Sequence, residues 1–193
     1  MKELIERHHR DFIDLLDSIR TTDGAGNKVG VYRGIEAVCG ILKERAAGGG
    51  KVLFIGNGGS AAIASHMAVD FWRNGGIEAL AFNDGALLTC IGNDFGYERV
   101  FEKPVEMFAK EKDVLFAISS SGKSENILRG AAAAKSKGCA VVTLSGFDAD
   151  NPLSSAGKYN FYVPSRKYGP VEVVHQYICH WILDTLIDAG KGK

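Results

Sequence analysis

Five side chains are of types that handle protons or metal ions and could be brought together: His66, Asp70, Glu172, His175 and His180. His66 and Asp70 are four apart in a stretch with helical pattern, so they share one helix face. Such a pair has a mundane use, a hydrogen bond along the helix. With Glu172 and His180 it also makes a set of two imidazoles and two carboxylates that could satisfy tetrahedral zinc. His175 reads as structural. Glu172 and His180 are eight apart, about 12 Å along an ideal helix. They share one metal only if Glu172 lies at the fraying start of its helix, or if the site mixes subunits.

Two loops carry a different chemistry. Gly56-Asn57-Gly58-Gly59-Ser60 and Ser119-Ser120-Ser121-Gly122-Lys123-Ser124 each follow an apolar run and precede a helical pattern. Glycine lets the backbone approach an anion closely, and a helix start offers unpaired N–H groups with partial positive charge. Serine hydroxyls add rotatable donors suited to phosphate oxygens. Neither loop has the dinucleotide or Walker pattern. The plain alternative is two tight turns with capping serines, which four serines in six residues make less economical.

The elements that must position these residues follow from hydrophobic pattern. Apolar residues recur at helical spacing over 3–20, and a second helix fits 32–47. The polar, glycine-rich stretch 21–30 separates them. Val52–Ile55, 79–82, Val114–Ile118, 140–144 and 161–163 read as strands, the longest being continuous apolar runs of the kind buried on both faces. Helices are expected from the first loop to about Arg73, over 95–109, from the serine loop to about Ser136, and over 171–188. This alternation predicts an α/β fold, doubly wound around a mainly parallel five-stranded sheet, with two N-terminal helices. The expected organisation is a single domain: a helical arm over 1–48, an α/β core over 49–189 and a frayed tail over 190–193. In such a sheet, ligands bind at the carboxyl ends of the strands, where both loops fall.

Composition narrows the classes. Of the 193 residues, 46% are apolar, which suits one packed domain, and Lys plus Arg equals Asp plus Glu at 23 each. No basic field exists to hold nucleic acid or an anionic membrane, so any anion is bound locally. Apolar stretches are far short of a membrane span. The charged N-terminus lacks a signal peptide's apolar core. Four scattered cysteines, Cys39, Cys90, Cys139 and Cys179, without a CxxC pair, fit reduced thiols in a cytoplasm.

Gly56–Ser60, Ile91-Gly92-Asn93-Asp94-Phe95-Gly96 and Ile118–Ser124, in this order and spacing, resemble the sugar isomerase (SIS) domain, and within it the phosphoheptose isomerases, over about residues 45–188. The resemblance implies a flavodoxin-like fold, conversion of sedoheptulose 7-phosphate to a manno-heptose 7-phosphate, a homotetramer with active sites at subunit interfaces, and in many members zinc. It implies that Asn57, Gly58, Gly59, Ser60, Asn93 and Asp94 touch substrate, and that Ser119, Ser120, Ser121 and Ser124 hold its phosphate. His66, Asp70, Glu172 and His180 would be the metal ligands, with Asp70 or Glu172 the general base, His180 the acid, and Glu172 also in contact with substrate. Two positions depart from the family pattern. Asp70 stands where it has Glu, one methylene longer, and Glu172 stands where it has Gln. The second carboxylate could recover the reach that the first loses.

The implied reaction is an aldose–ketose isomerisation through an enediol, in which a base removes the proton beside the carbonyl and a proton returns to the adjacent carbon. Two other classes stay open: a non-catalytic SIS protein that senses a sugar phosphate or scaffolds a partner, and an isomerase of a different phosphosugar. The constellation of His66, Asp70, Glu172 and His180 argues against the first, because binding alone does not need it. The departures at Asp70 and Glu172 leave room for the second.

Overall fold

The computed structural model describes residues 1–191. Helix α1 (Lys2–Asp17) is followed by strands β1 (Arg20–Asp23) and β2 (Lys28–Val29), then α2 (Val31–Ala47). The core continues as β3 (Val52–Gly56), α3 (Gly59–Arg73), β4 (Ala79–Ala81), α4 (Gly85–Phe95), α5 (Glu102–Phe108), β5 (Val114–Ser119), α6 (Glu125–Ser136), β6 (Ala140–Ser145), β7 (Tyr159–Tyr162) and α7 (Tyr168–Lys191). The sheet order is β2-β1-β7-β6-β5-β3-β4. The pairs from β4 through β7 are all parallel, which is the expected five-stranded core.

The expectation is extended at one edge. The polar stretch 21–30 is a short hairpin whose β1 pairs antiparallel with β7, making a mixed seven-stranded sheet. Its turn is built by Asp23, whose Oδ1 accepts from the backbone N–H groups of Ala25 and Asn27 at 3.0 and 2.9 Å. The Asn27 side-chain and backbone bonds hold the Asp23 carboxyl below its usual range. Pairing with β7 supplies the order that the local pattern lacks.

Side chains alternate cleanly across the sheet. Val52, Phe54, Val114, Phe116, Val142 and Leu144 face one layer with α2, α3 and α7; Leu53, Ile55, Leu115, Ala117 and Val141 face the other, with α5 and α6. Phe54 packs against both Phe71 and Phe116, with ring centroids 5.3 and 5.0 Å apart. Helix α2 contributes Ile35, Val38 and Leu42 to this core, whereas α1 has no buried residue.

Two helix boundaries differ from the periodicity. The helix expected over 95–109 is only α5, Glu102–Phe108, and a helix that the periodicity does not predict, α4, precedes it and stops before Gly96, at φ 90°. Asp84 caps α4, its carboxylate accepting from Leu87 N at 3.0 Å, and Leu87, Leu88 and Ile91 pack on the core. Helix α7 runs to Lys191, so Gly190 and Lys191 of the expected tail are helical; residues 192–193 lie outside the described residues.

Strand β3 is followed in the chain by β4 on one side of it and then by β5 on the other. The strand order therefore reverses between β3 and β5, and the crevice at their carboxyl ends is the switch point of the sheet. The glycine loop leaves β3 there and the serine loop leaves β5.

Candidate active site

A cavity of about 240 Å³ opens at that switch point, walled by Asn57, Gly58, Gly59 and Ser60 of the first loop, Ile118, Ser119, Ser120, Ser121 and Ser124 of the second, and Tyr168 and Glu172 of α7. Its walls are formed by the starts of three helices. Gly58, at φ 53°, turns the chain sharply into α3. Neither α3 nor α6 has a side-chain cap on its first turn, in contrast to α4. The serines therefore do not serve as caps. Ser119 Oγ accepts from Gly122 N at 3.2 Å and Ser121 Oγ from Lys123 N at 3.3 Å, which shapes the loop. Ser120 is buried, and its hydroxyl has no hydrogen-bond partner. A buried hydroxyl without a partner costs free energy in the free protein, and a ligand oxygen in this cavity would satisfy it.

The lining includes no lysine or arginine. Lys123, on the serine loop, is instead paired with Asp148 at 2.9 Å, and Arg166 pairs with the same carboxylate. Lys123, with Arg166 beside it, holds the Asp148 carboxyl below its usual range. An anion in the cavity would meet hydroxyls and helix-start N–H groups instead of a cationic side chain.

Helices α3 and α7 both start at the cavity and pack along one another. Two turns further along they bring His66, Asp70 and His180 together. His66 Nε2 lies 3.3 Å and His180 Nδ1 3.9 Å from Asp70 Oδ2, and one donor atom from each residue lies within 4.8 Å of the others. The cluster is open: the side chains of His66 and His180 are 51% and 34% exposed, while Asp70 is mostly covered. Nitrogen and carboxylate donors at this separation fit a single divalent ion such as zinc.

Glu172 is not in that cluster. Its carboxylate lies in the cavity wall against Gly59, so close that a Cβ at residue 59 would overlap it. Asn93 and Asp94 also stay apart: both are exposed at the end of α4, with Asn93 Nδ2 donating to Asp94 Oδ1 at 2.9 Å, and neither lines the cavity of the single chain. His175 is fully buried and ties α7 to β6 through a 3.1 Å contact with the Ser145 carbonyl. Burial pushes its pKa down to about 4, so the ring is neutral and Nε2 carries the donated proton. Burial likewise pushes the Cys179 thiol up to about 12, and all four cysteines are free. No helix among the described residues is long and apolar enough to cross a membrane.

Three neighbours escape the motif reading. Tyr168 enters the cavity wall one turn before Glu172. Asn126 and Tyr97 bond to Asn57 from behind the loop. A lone tyrosine and a lone asparagine carry no sequence signal of their own.

The SIS domain model matches residues 31–146. The chain is 42% identical over 161 residues to the phosphoheptose isomerase of Solidesulfovibrio magneticus, covering 80% of this chain and 77% of that protein. It is 37% identical over 165 residues to the phosphoheptose isomerase of Helicobacter hepaticus, covering 82% and 83%. The solved phosphoheptose isomerase of Neisseria gonorrhoeae superposes with a TM-score of 0.83 at 27% identity, over 96% of this chain and 98% of that one. That of Francisella tularensis superposes with the same TM-score at 26% identity, over 97% of each. With its crevice at the switch point and its serine loop on β5, the chain belongs to the SIS-domain family and, within it, to the phosphoheptose isomerases.

Proposed function

We propose that this protein is an aldose–ketose isomerase that converts sedoheptulose 7-phosphate to D-glycero-D-manno-heptose 7-phosphate. The observation that carries the reading is the single cavity walled by both a phosphate-type cradle and a free carboxylate. Ser119, Ser120, Ser121 and Ser124, with the uncapped starts of α3 and α6, would take the phosphate; Asn57, Gly58, Gly59 and Ser60 would contact the sugar. The phosphate grip positions the reacting carbons with binding energy from a remote group. Asn93 and Asp94, exposed on α4, would reach substrate in an assembled oligomer.

Of the two candidate bases, Asp70 and Glu172, Glu172 is the one that its position in the cavity supports. It lies in the cavity, whereas Asp70 is held between two imidazoles. It would remove the proton from the carbon beside the carbonyl to give the enediol, and return it to the neighbouring carbon. His180 would donate and recover the proton exchanged at the substrate oxygens. His66, Asp70 and His180 would hold a zinc ion, with Glu172 as a fourth ligand if a rearrangement or a neighbouring subunit brings it there. Bound zinc supplies Lewis-acid stabilisation of developing negative charge on oxygen.

A homotetramer with active sites at subunit interfaces fits two surface features. Helix α1 leaves Leu4, Ile5 and Ile13 exposed, and the groove between α2 and α7 leaves Tyr32 exposed beside a half-buried Trp181. Four unpaired thiols fit a cytoplasmic location. Light scattering tests the assembly.

Turnover of sedoheptulose 7-phosphate, with solvent deuterium entering the α-carbon, is the expected result. Normal turnover in both Asp70→Asn and Glu172→Gln would exclude a carboxylate base. The two departures at the reacting centre also support a second reading, isomerisation of another ketose phosphate. A substrate panel in the same exchange assay separates the two. Binding without exchange on every member would leave a sensor or scaffold.

A further inference from the structure

The cavity residue Asn57 is held by two residues, Asn126 and Tyr97, that lie outside every motif. Asn57 Nδ2 donates to Asn126 Oδ1 at 2.9 Å, and Asn126 Nδ2 donates back to Asn57 Oδ1 at 2.9 Å. Asn126 is only 3% exposed, in the first turn of α6. The Tyr97 hydroxyl donates to the same Asn57 Oδ1 at 3.2 Å. Three segments meet at one side chain: the glycine loop after β3, the helix that follows the serine loop, and the turn after α4.

An amide has two acceptor sites on oxygen and two donor hydrogens on nitrogen. Both acceptor sites of Asn57 are taken, one by Asn126 and one by Tyr97. One of its two N–H bonds is taken by Asn126. What remains is a single N–H on a side chain that lines the cavity. Asn57 is thereby presented as a fixed donor, suited to an oxygen acceptor on the ligand and not to a ligand hydroxyl seeking an acceptor. Reciprocal amide bonds also hold α6, and hence the serine loop before it, in register with the glycine loop.

We infer that Asn126 and Tyr97 are positioning residues for substrate binding, acting through Asn57: they orient its amide so that one N–H faces the sugar phosphate, and they lock the two binding loops to each other. The inference deepens the sugar phosphate reading and rests on it. As a donor in the cavity wall that takes no proton in the proposed reaction, Asn57 would hold the substrate in ground and transition states alike. Its loss raises KM more than it lowers kcat.

The test is a double-mutant cycle, because acting through another residue means non-additivity. Wild type, Asn57→Ala, Asn126→Ala and the double variant are titrated calorimetrically with sedoheptulose 7-phosphate and assayed for its turnover. Each single variant is expected to weaken binding roughly tenfold, the size of one lost hydrogen bond with its orientation, with kcat within about twofold. The double variant should bind no more weakly than Asn57→Ala. Full additivity, or unchanged binding in Asn126→Ala, overturns the inference. A purely structural role would weaken binding equally in both backgrounds. If Asn126→Ala does not fold, the cycle is run with Tyr97→Phe, which removes only an exposed hydroxyl, and the same two outcomes decide it. Failure of wild type to bind or turn over sedoheptulose 7-phosphate would count against that substrate alone; the cycle is then read with the ketose phosphate of the panel that does bind.

Discussion

The cradle and the imidazole cluster lie along the same two helices, yet they are built in opposite ways. The cradle is made of glycines, short hydroxyls and helix starts, backed by β3 and β5, whose residues are all buried. Its geometry is fixed by backbone within one chain. The cluster hangs on side chains two turns further along, with both imidazoles partly in solvent. The proposed binding contacts sit at the sheet's switch point, whereas the proposed acid and metal donors are longer side chains on an open helix face. The serine and glycine loops meet within one chain, while the imidazole cluster is open to solvent.

This contrast predicts that the two regions can be broken separately. The largest effect is expected from His180→Ala. Losing the proposed acid and a proposed metal donor together should lower kcat by about 10³ or more and reduce bound metal in protein purified without chelator. Affinity for inorganic phosphate, measured by calorimetry, should stay within about twofold because the cradle is untouched. A variant with full metal content would remove His180 from the proposed ligands, and a collapse of phosphate affinity would mean that the two regions are not independent.

Glu172 links the regions, because it stands in the cradle's wall while its helix carries His180. Glu172→Gln should lower kcat by about 10², the scale of a misplaced reacting group, since Asp70 is one methylene too short to substitute. Adding Asp70→Glu should restore most of the rate by moving the longer carboxylate to the other helix. If the double variant stays as slow as Glu172→Gln, the departures at these two positions do not compensate each other.

A smaller effect is expected at the cradle itself. Ser120→Ala removes the buried hydroxyl that lacks a partner in the free protein. It should raise KM about tenfold with little change in kcat, since phosphate contacts serve ground and transition states alike. Thermal stability should hold or rise, because an unsatisfied buried group is deleted. A fall in kcat without a change in KM would assign Ser120 to the chemistry instead.

What was legible in the sequence follows the same division. Of the five parallel strands, β3, β5 and β6 are mostly apolar runs that end in glycine or serine, and that pattern places the cradle at strand ends; β4 is three residues long and β7 includes Asn160. The hairpin over 20–29 carries no such pattern, because its strands are short and polar and β1 joins the sheet only by pairing with β7, with β2 following on β1. His66 and Asp70 were placed together by helical spacing. Glu172 was not placed so well: an eight-residue gap gives a rise along α7 but not which neighbour each end meets, and packing sends Glu172 to Gly59 and His180 to α3. The resemblance named Asn93 and Asp94, whereas in the single chain it is Tyr97, three residues beyond Asp94, that reaches the first loop. Asn126 escaped because a reciprocal amide pair across 69 residues has no local pattern.

The smallest effect on turnover, and a separate one on stability, is expected beneath the cradle at His175. Its ring is neutral in the fold, with a pKa of about 4 against an ordinary 6.5, because burial disfavours the charged form more than the Ser145 carbonyl favours it. As pH falls below about 6.5 the unfolded chain takes up a proton that the folded chain refuses, so stability declines with acid; below about 4 both states are protonated and this loss is complete. The full window corresponds to about 3 kcal/mol, of which about 2 should be lost between pH 7 and pH 5 in chemical denaturation. His175→Gln, which keeps a donor for the same carbonyl but cannot titrate, should lose that slope even if it is less stable at pH 7. Equal slopes in the two proteins would mean that acid sensitivity arises elsewhere, and that the neutral imidazole joining α7 to β6 is not what acid attacks under the binding site.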